Sequence, residues 1–233
     1  MEKILNFYNL NKNYSYKFQS IPSTESEYDW ITSKSKIPFL KINLDGPWKE
    51  ILEEAKNLSN LFVSHRDDGH SKGWSSLCIH GLGAFKTDSP NSYDEYKNIP
   101  YDELPFQWTE IAYKCPITTY YFKHNFPYES YHRLRFMKLE AGGYIVPHTD
   151  SNLFNLCAVN ISLNNPPNCE MILEGVGKVP FDDSGSVYAL NTSYRHMVWN
   201  NSDIDRYHII VHGRQKNEWE KIILDSYKSQ LIL

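Results

Sequence analysis

Hydrophobic residues recur along this chain with two different periods. Trp48, Ile51, Leu52, Ala55, Leu58, Leu61 and Phe62 are spaced by three and four, with Glu and Lys between them, which predicts an amphipathic helix. Asp45-Gly-Pro-Trp48 reads as its start, with Pro47 in the first turn. From Tyr131 onward the period shortens to two. Arg133–Leu139 predicts a strand turned by Ala141-Gly-Gly143, and Leu156–Leu163, Cys169–Glu174, Ser186–Leu190 and Arg206–Arg214 predict four more. Asn164-Asn-Pro-Pro-Asn168 is a turn.

Two of these strands have unequal faces. Cys157, Val159, Ile161 and Leu163 share one side; Leu156, Ala158, Asn160 and Ser162 share the other, mixed enough to line a cavity. Tyr207, Ile209 and Val211 likewise oppose Arg206, His208, Ile210 and His212. Upstream the signals are sparser. Residues 1–40 are polar and aromatic and predict irregular structure with a strand or two. Pro38–Leu44 and Trp74–His80 read as strands, the second ended by Gly81 and Gly83. The polar run 65–74 is a loop whose His and Asp spacing fits no common metal pattern; a lid over a site suits it better. Residues 84–105 are loop-like, Trp108–Cys115 is a short helix stopped before Pro116, and Ile117–Lys123 is helix or strand. Glu218–Tyr227 is a closing helix. Short strands between turns, with helices at both ends, predict a β-rich α+β fold: a cupin-like jelly roll flanked by helices, one domain over 1–233 with its β core at about 131–214.

Composition narrows the function classes. At 233 residues, with 41% hydrophobic and 22% charged residues, the chain has the make-up of a soluble globular domain. A net charge of −4 with scattered basic residues offers no footprint for nucleic acid. No apolar run approaches the ~20 residues of a membrane span, and the N-terminus lacks a signal-peptide core, so the expected location is cytoplasmic. Cys78, Cys115, Cys157 and Cys169 form no C-x-x-C pair and are expected as buried free thiols.

The chemistry concentrates at Pro147-His-Thr-Asp150. His148 and Asp150 are two apart, so on a strand both point the same way. With His196 from another strand they form a 2-His-1-carboxylate set, the facial triad of non-haem Fe(II) oxygenases, which leaves positions open for a co-substrate and O2. Arg206 follows His196 by ten residues. It is either a surface partner of Asp203 or Asp205, or a buried guanidinium that forks onto a carboxylate. Asn160 and His208 lie on the predicted cavity faces. Arg135 is either a surface ion pair or a cavity residue that holds a substrate carboxylate; Arg133 is placed on the surface. Trp199 is expected to pack beside the metal loop, and Tyr144, His80, His132 and His212 to serve packing alone.

Arg133-Leu-Arg-Phe-Met-Lys-Leu-Glu-Ala-Gly-Gly-Tyr-Ile-Val-Pro-His-Thr-Asp150 and Asn191-Thr-Ser-Tyr-Arg-His-Met-Val-Trp-Asn-Asn-Ser-Asp-Ile-Asp-Arg206 together resemble the aspartyl/asparaginyl β-hydroxylase-like family of Fe(II)/2-oxoglutarate dioxygenases, which includes free-proline hydroxylases. The resemblance covers residues 131–214 well and 74–130 loosely. It implies a double-stranded β-helix, His148, Asp150 and His196 as iron ligands, and Arg206 on the distal carboxylate of 2-oxoglutarate. Members often carry Arg near position 160, where this chain has Asn160. The implied reaction consumes O2 and 2-oxoglutarate, releases succinate and CO2, and hydroxylates a C–H of an amino acid or of an aspartyl, asparaginyl or prolyl residue. Asp150 favours hydroxylation, because related halogenases lack that carboxylate. The competing readings are a metal-retaining jelly-roll binding module without activity and a zinc-dependent hydrolase or isomerase.

Overall fold

The structure is a computed structural model that describes residues 1–65, 70–153, 155–156, 158–183 and 185–231. The chain runs α1 (Glu2–Asn11), α2 (Glu27–Asp29), β1 (Phe39–Ile42), α3 (Trp48–Asn57), β2 (Val63–Ser64), β3 (Lys72–Gly81), β4 (Gln107–Trp108), α4 (Pro116–His124), β5 (Tyr128–His148), β6 (Ala158–Asn164), β7 (Cys169–Leu173), β8 (Gly177–Lys178), β9 (Ser186–Leu190), β10 (His196–Asn200), β11 (Arg206–Gln215) and α5 (Glu218–Leu231). All strand pairs are antiparallel, in the order β1-β9-β6-β11-β5-β10-β7-β8, with β3 also on β5. This curled sheet with flanking helices is the expected jelly roll.

The long strand β5 organises it. Residues 128–139 pair with β11, and residues 144–148 pair with β10. Gly142 and Gly143 therefore do not reverse the chain, as the sequence suggested; they let one strand pass from one half of the sheet to the other. Gly142 takes a φ of +67°, and a Cβ on Gly143 would lie 2.8 Å from the carbonyl oxygens of Glu140 and Lys72. Asn200 fixes the same bend. Its buried amide donates to the carbonyls of Leu139 (3.1 Å), Glu140 (3.0 Å) and Ile204 (2.8 Å), and so also ties down the loop between β10 and β11.

Three apolar layers follow from the alternation. Leu134 and Phe136 of β5, Val159 and Ile161 of β6 and Ile209 and Val211 of β11 point outward under Ile51 and Ala55 of α3, Phe122 of α4 and Ile223 of α5. Each such fully buried side chain contributes about 1.5–3 kcal/mol. Glu54, on the polar face of α3, caps α4 by accepting from the backbone N–H of Ile117 and Thr118 at 2.8 and 2.9 Å. A second layer lies inside the curl, around Leu139, Ile145, Leu173, Tyr188 and Val198.

The third layer corrects the expectation for residues 1–40. α1 is a regular helix whose Ile4 and Phe7 cover Ile172 and Met197 on the outside of the smaller half-sheet. Its apolar positions are too few among Asn, Tyr and Lys to stand out in the sequence. Trp199 belongs to this layer, edge-on to Tyr8 at 5.4 Å, and not beside the metal loop. The segment 110–113 is 3-10 helix, α4 resolves the 117–123 ambiguity, and Cys78, Cys115 and Cys169 are buried free thiols. Cys157 and the centre of the expected lid, 66–69, lie outside the described residues. Among the described residues no helix is long and apolar enough to cross a membrane.

Candidate active site

His148 closes β5 and faces His196, which opens β10. The register slips by one residue between Val198–Ile145 and His196–His148, so β5 carries a bulge at its C-terminal end. The bulge absorbs Pro147, which has no N–H to give, and turns His148 to the same side as Ile145. Asp150 lies past the end of the strand, so the two-residue spacing works through a loop and not through strand alternation. Its backbone N–H donates to Thr192 O at 3.0 Å, which ties the carboxylate to the segment that leads into β10.

The three side chains converge. One ligand atom from each of His148, Asp150 and His196 lies within 4.8 Å of the others. The Nδ1 atoms of His148 and His196 sit 2.8 and 2.9 Å from the carbonyl oxygens of Val146 and Tyr194. A carbonyl only accepts, so each Nδ1 carries the proton and each Nε2 turns its lone pair inward. Those Nε2 atoms stand 3.4 and 3.6 Å from the Asp150 oxygens. Two imidazoles oriented through Nδ1 and one carboxylate fit a divalent iron with coordination positions left over.

The triad opens into a cavity of about 370 Å³ walled by both halves of the curl. Asn160, Arg206 and His208 line it, as the alternation of β6 and β11 predicted, and so does His212, which was expected to serve packing alone. Arg206 is 6% exposed. Its Nη2 donates to His208 Nδ1 at 2.9 Å, its Nε to Asn165 Oδ1 at 3.3 Å, and its guanidinium lies 5.4 Å from the Phe181 ring. Among the described residues no carboxylate pairs with it, so the surface-ion-pair alternative is gone. Burial pushes its pKa down, but a guanidinium stays charged at any ordinary pH. Burial, and next the charge of Arg206, push His208 well below the usual imidazole range, so this ring is neutral. Nδ1 accepts from Arg206, which leaves the proton on Nε2, a buried atom with no partner among the described residues. Asn160 Oδ1 lies 2.5 Å from the same Nδ1. A buried cation and an orphaned N–H beside three metal donors fit a carboxylate-bearing co-substrate.

The far wall differs from expectation. Arg135 is in the cavity, 5% exposed. Arg133, expected on the surface, lines the cavity too, because it shares the inward face of β5 with Arg135 and Met137. His65 was hidden in a polar run. It is buried, with Nδ1 2.8 Å from Ser76 Oγ and its ring 4.3 Å from that of Trp74. Only its neighbours on β3 would have revealed it. His80 and His132 do pack, against Trp108 and Phe106.

Residues 46–216 match the family described as aspartyl/asparaginyl beta-hydroxylase. The chain has no match among curated proteins. Similar solved structures include a Pseudomonas putida prolyl-4-hydroxylase, 12% identical over 81% of this chain and 96% of that one, with a TM-score of 0.43. A 2OG-Fe(II) oxygenase family oxidoreductase from Burkholderia pseudomallei is 11% identical over 87% and 98%, with a TM-score of 0.47. A Trichoplax adhaerens prolyl hydroxylase in complex with a hypoxia inducible factor peptide fragment is 15% identical over 79% and 86%, with a TM-score of 0.42. The match over 46–216 spans most of the chain and includes every residue of the triad and Arg206, so this protein belongs to the aspartyl/asparaginyl β-hydroxylase family of Fe(II)/2-oxoglutarate-dependent dioxygenases.

Proposed function

We propose that His148, Asp150 and His196 hold Fe(II), that Arg206 binds the distal carboxylate of 2-oxoglutarate, and that the reaction hydroxylates a C–H of an amino acid or of an aspartyl, asparaginyl or prolyl residue. The observation that carries this is the buried Arg206 in the same cavity as three convergent metal donors. A lone buried cation is costly to keep, and it is retained where an anion will meet it. When bound, the iron would supply the activation of O2 that drives oxidative decarboxylation of 2-oxoglutarate. The side chains do the rest. Arg206 and the His208 Nε2–H orient the co-substrate through its far carboxylate, with Asn160 completing the cluster. Val146 and Tyr194 hold the two imidazoles in their tautomer. Ile145, Met171, Leu190 and Val198 keep the floor of the cavity dry.

The test is succinate release from 2-oxoglutarate by the purified chain with Fe(II) in air, with amino acids and short peptides screened for stimulation. Iron-dependent, O2-dependent succinate is expected. Turnover sustained by zinc without O2, or no succinate under any condition, would overturn the reading.

A further inference from the structure

Residues 30–38 precede the matched region, yet they hold both loops that carry metal donors. Trp30–Lys34 form a single π-helical turn, and Lys36 leaves it with a φ of +54°, a left-handed conformation that suits glycine far better than lysine. The end of a helix leaves carbonyls without partners inside it. The carbonyls of Thr32, at that end, and of Lys36, Ile37 and Pro38, just past it, accept from the two loops. Leu156, in the loop that follows Asp150, donates its N–H to Thr32 O at 2.9 Å. Asn191 donates its N–H to Pro38 O at 2.9 Å and its buried side-chain amide to Ile37 O at 3.3 Å. Tyr194 donates its hydroxyl to Lys36 O at 2.7 Å.

These bonds lie one step from the triad. The Tyr194 carbonyl accepts from His196 Nδ1 at 2.9 Å, so a residue fixed at its hydroxyl end fixes the imidazole at its backbone end. Asn191 Oδ1 accepts from the Ser193 N–H at 3.3 Å and closes the turn that contains Thr192, the acceptor of the Asp150 N–H. Ser193 Oγ donates to Leu153 O and joins the two loops to each other. Asp150 lies past the end of β5, so this network does for it what strand pairing does for His148.

We infer that residues 30–38 are a clasp that sets the spacing of Asp150 and His196, with Tyr194 and Asn191 as its positioning residues. Donors held in place before the ion arrives cost little to order when it binds, so the clasp acts on iron affinity more than on the cavity beyond. The left-handed backbone at Lys36 is strain of the kind kept where the surrounding contacts demand it, here the turn that aims three carbonyls at one loop. Coupling of this sort runs both ways: a clasp that tightens the ion's hold is itself tightened by the ion. The inference rests on the assignment of His148, Asp150 and His196 to Fe(II).

The test is Fe(II) affinity of the full chain, measured without O2 by competition with a chromophoric chelator. Tyr194→Phe removes one oxygen and keeps the ring, and is expected to weaken Fe(II) about three- to tenfold; Asn191→Ala is expected to weaken it by roughly tenfold or more. Tyr227→Phe is the control. It removes a hydroxyl that donates to Gln19 O at 2.6 Å, a bond of the same kind that ties the N-terminal segment to α5. It is expected to lower the melting temperature and to leave Fe(II) affinity as in the wild type. Amide exchange over residues 30–38 is the second readout. Fe(II) is expected to slow it in the wild type, and to slow it less in Tyr194→Phe. Wild-type Fe(II) affinity in Tyr194→Phe, equal weakening in Tyr227→Phe, or exchange over 30–38 that ignores Fe(II) would each overturn the clasp and leave the metal assignment standing. Should Asn191→Ala not fold, Tyr194→Phe and the exchange decide. A wild-type chain without Fe(II) affinity overturns the metal assignment, and the clasp falls with it.

Discussion

His148 and His196 are cross-strand partners at the open ends of β5 and β10, with ring centroids 4.4 Å apart. Neither ring is placed by its own strand alone; the pairing of β5 with β10 brings both to Asp150. Replacing either histidine by Ala is expected to weaken Fe(II) binding at least about 100-fold, because a two-donor remnant competes poorly with water. Competition with a chromophoric chelator measures it. Wild-type affinity in His196→Ala would remove that residue from the ligand set.

Arg206 makes a two-sided prediction. Arg206→Ala is expected to cost 2-oxoglutarate about 2–4 kcal/mol of binding, roughly 30- to 1,000-fold, while Fe(II) still loads. Arg206→Met removes a desolvated charge that no carboxylate among the described residues neutralises, and is expected to stabilise the ligand-free chain by about 1–2 kcal/mol. Calorimetry for the first effect and denaturant midpoints for the second check the pair. A destabilised Arg206→Met chain would mean the guanidinium serves the fold.

Asn200 holds three carbonyls with one amide group, at 2.8 to 3.1 Å. Asn200→Ala is expected to cost about 2–3 kcal/mol of stability. Asn200→Asp is expected to cost more, because a carboxylate would face those same carbonyl oxygens. Both changes also loosen the spacing of His196 and Arg206. Urea midpoints in the order wild type, Ala, Asp are the expected result.

Acid sensitivity follows from the buried imidazoles. His80 is pushed down to about 4, chiefly by burial, partly offset by a backbone hydrogen bond at His132. In the unfolded chain it titrates near 6.5. Between about 6.5 and 4 the unfolded state therefore binds the extra proton, and stability falls as the pH falls through that window. His208, lowered in the same direction, adds to the slope. His80→Phe keeps the aromatic contacts with Trp108 and Tyr131 and is expected to flatten the profile by about 2 kcal/mol. An unchanged slope in melting temperature against pH would exclude His80 as its source.

The alternation of β6 and β11 made much of this site readable in the sequence. A period of two assigns every side chain to a face once one of them is known, so Asn160, His208 and Arg206 could be aimed at a cavity. The apolar spacing of α3 was equally plain. What stayed hidden depended on partners distant in sequence. Gly142 and Gly143 look like a turn until β5 is seen to change partners there. Arg133 looks like a surface residue until the face it shares with Arg135 is seen to turn inward, and α1 makes sense only over Ile172 and Met197. Asp150 reached its place by a route that strand geometry did not anticipate, through a hydrogen bond to Thr192.

Anaerobic absorption spectroscopy tests the central claim most directly. Fe(II) and 2-oxoglutarate added together to the purified chain are expected to give a visible charge-transfer band that neither gives alone. The band is expected to be absent in His196→Ala, and to need far more 2-oxoglutarate in Arg206→Ala. A wild-type chain that binds Fe(II) yet shows no band at saturating 2-oxoglutarate, or a band undiminished in both variants, would contradict the account.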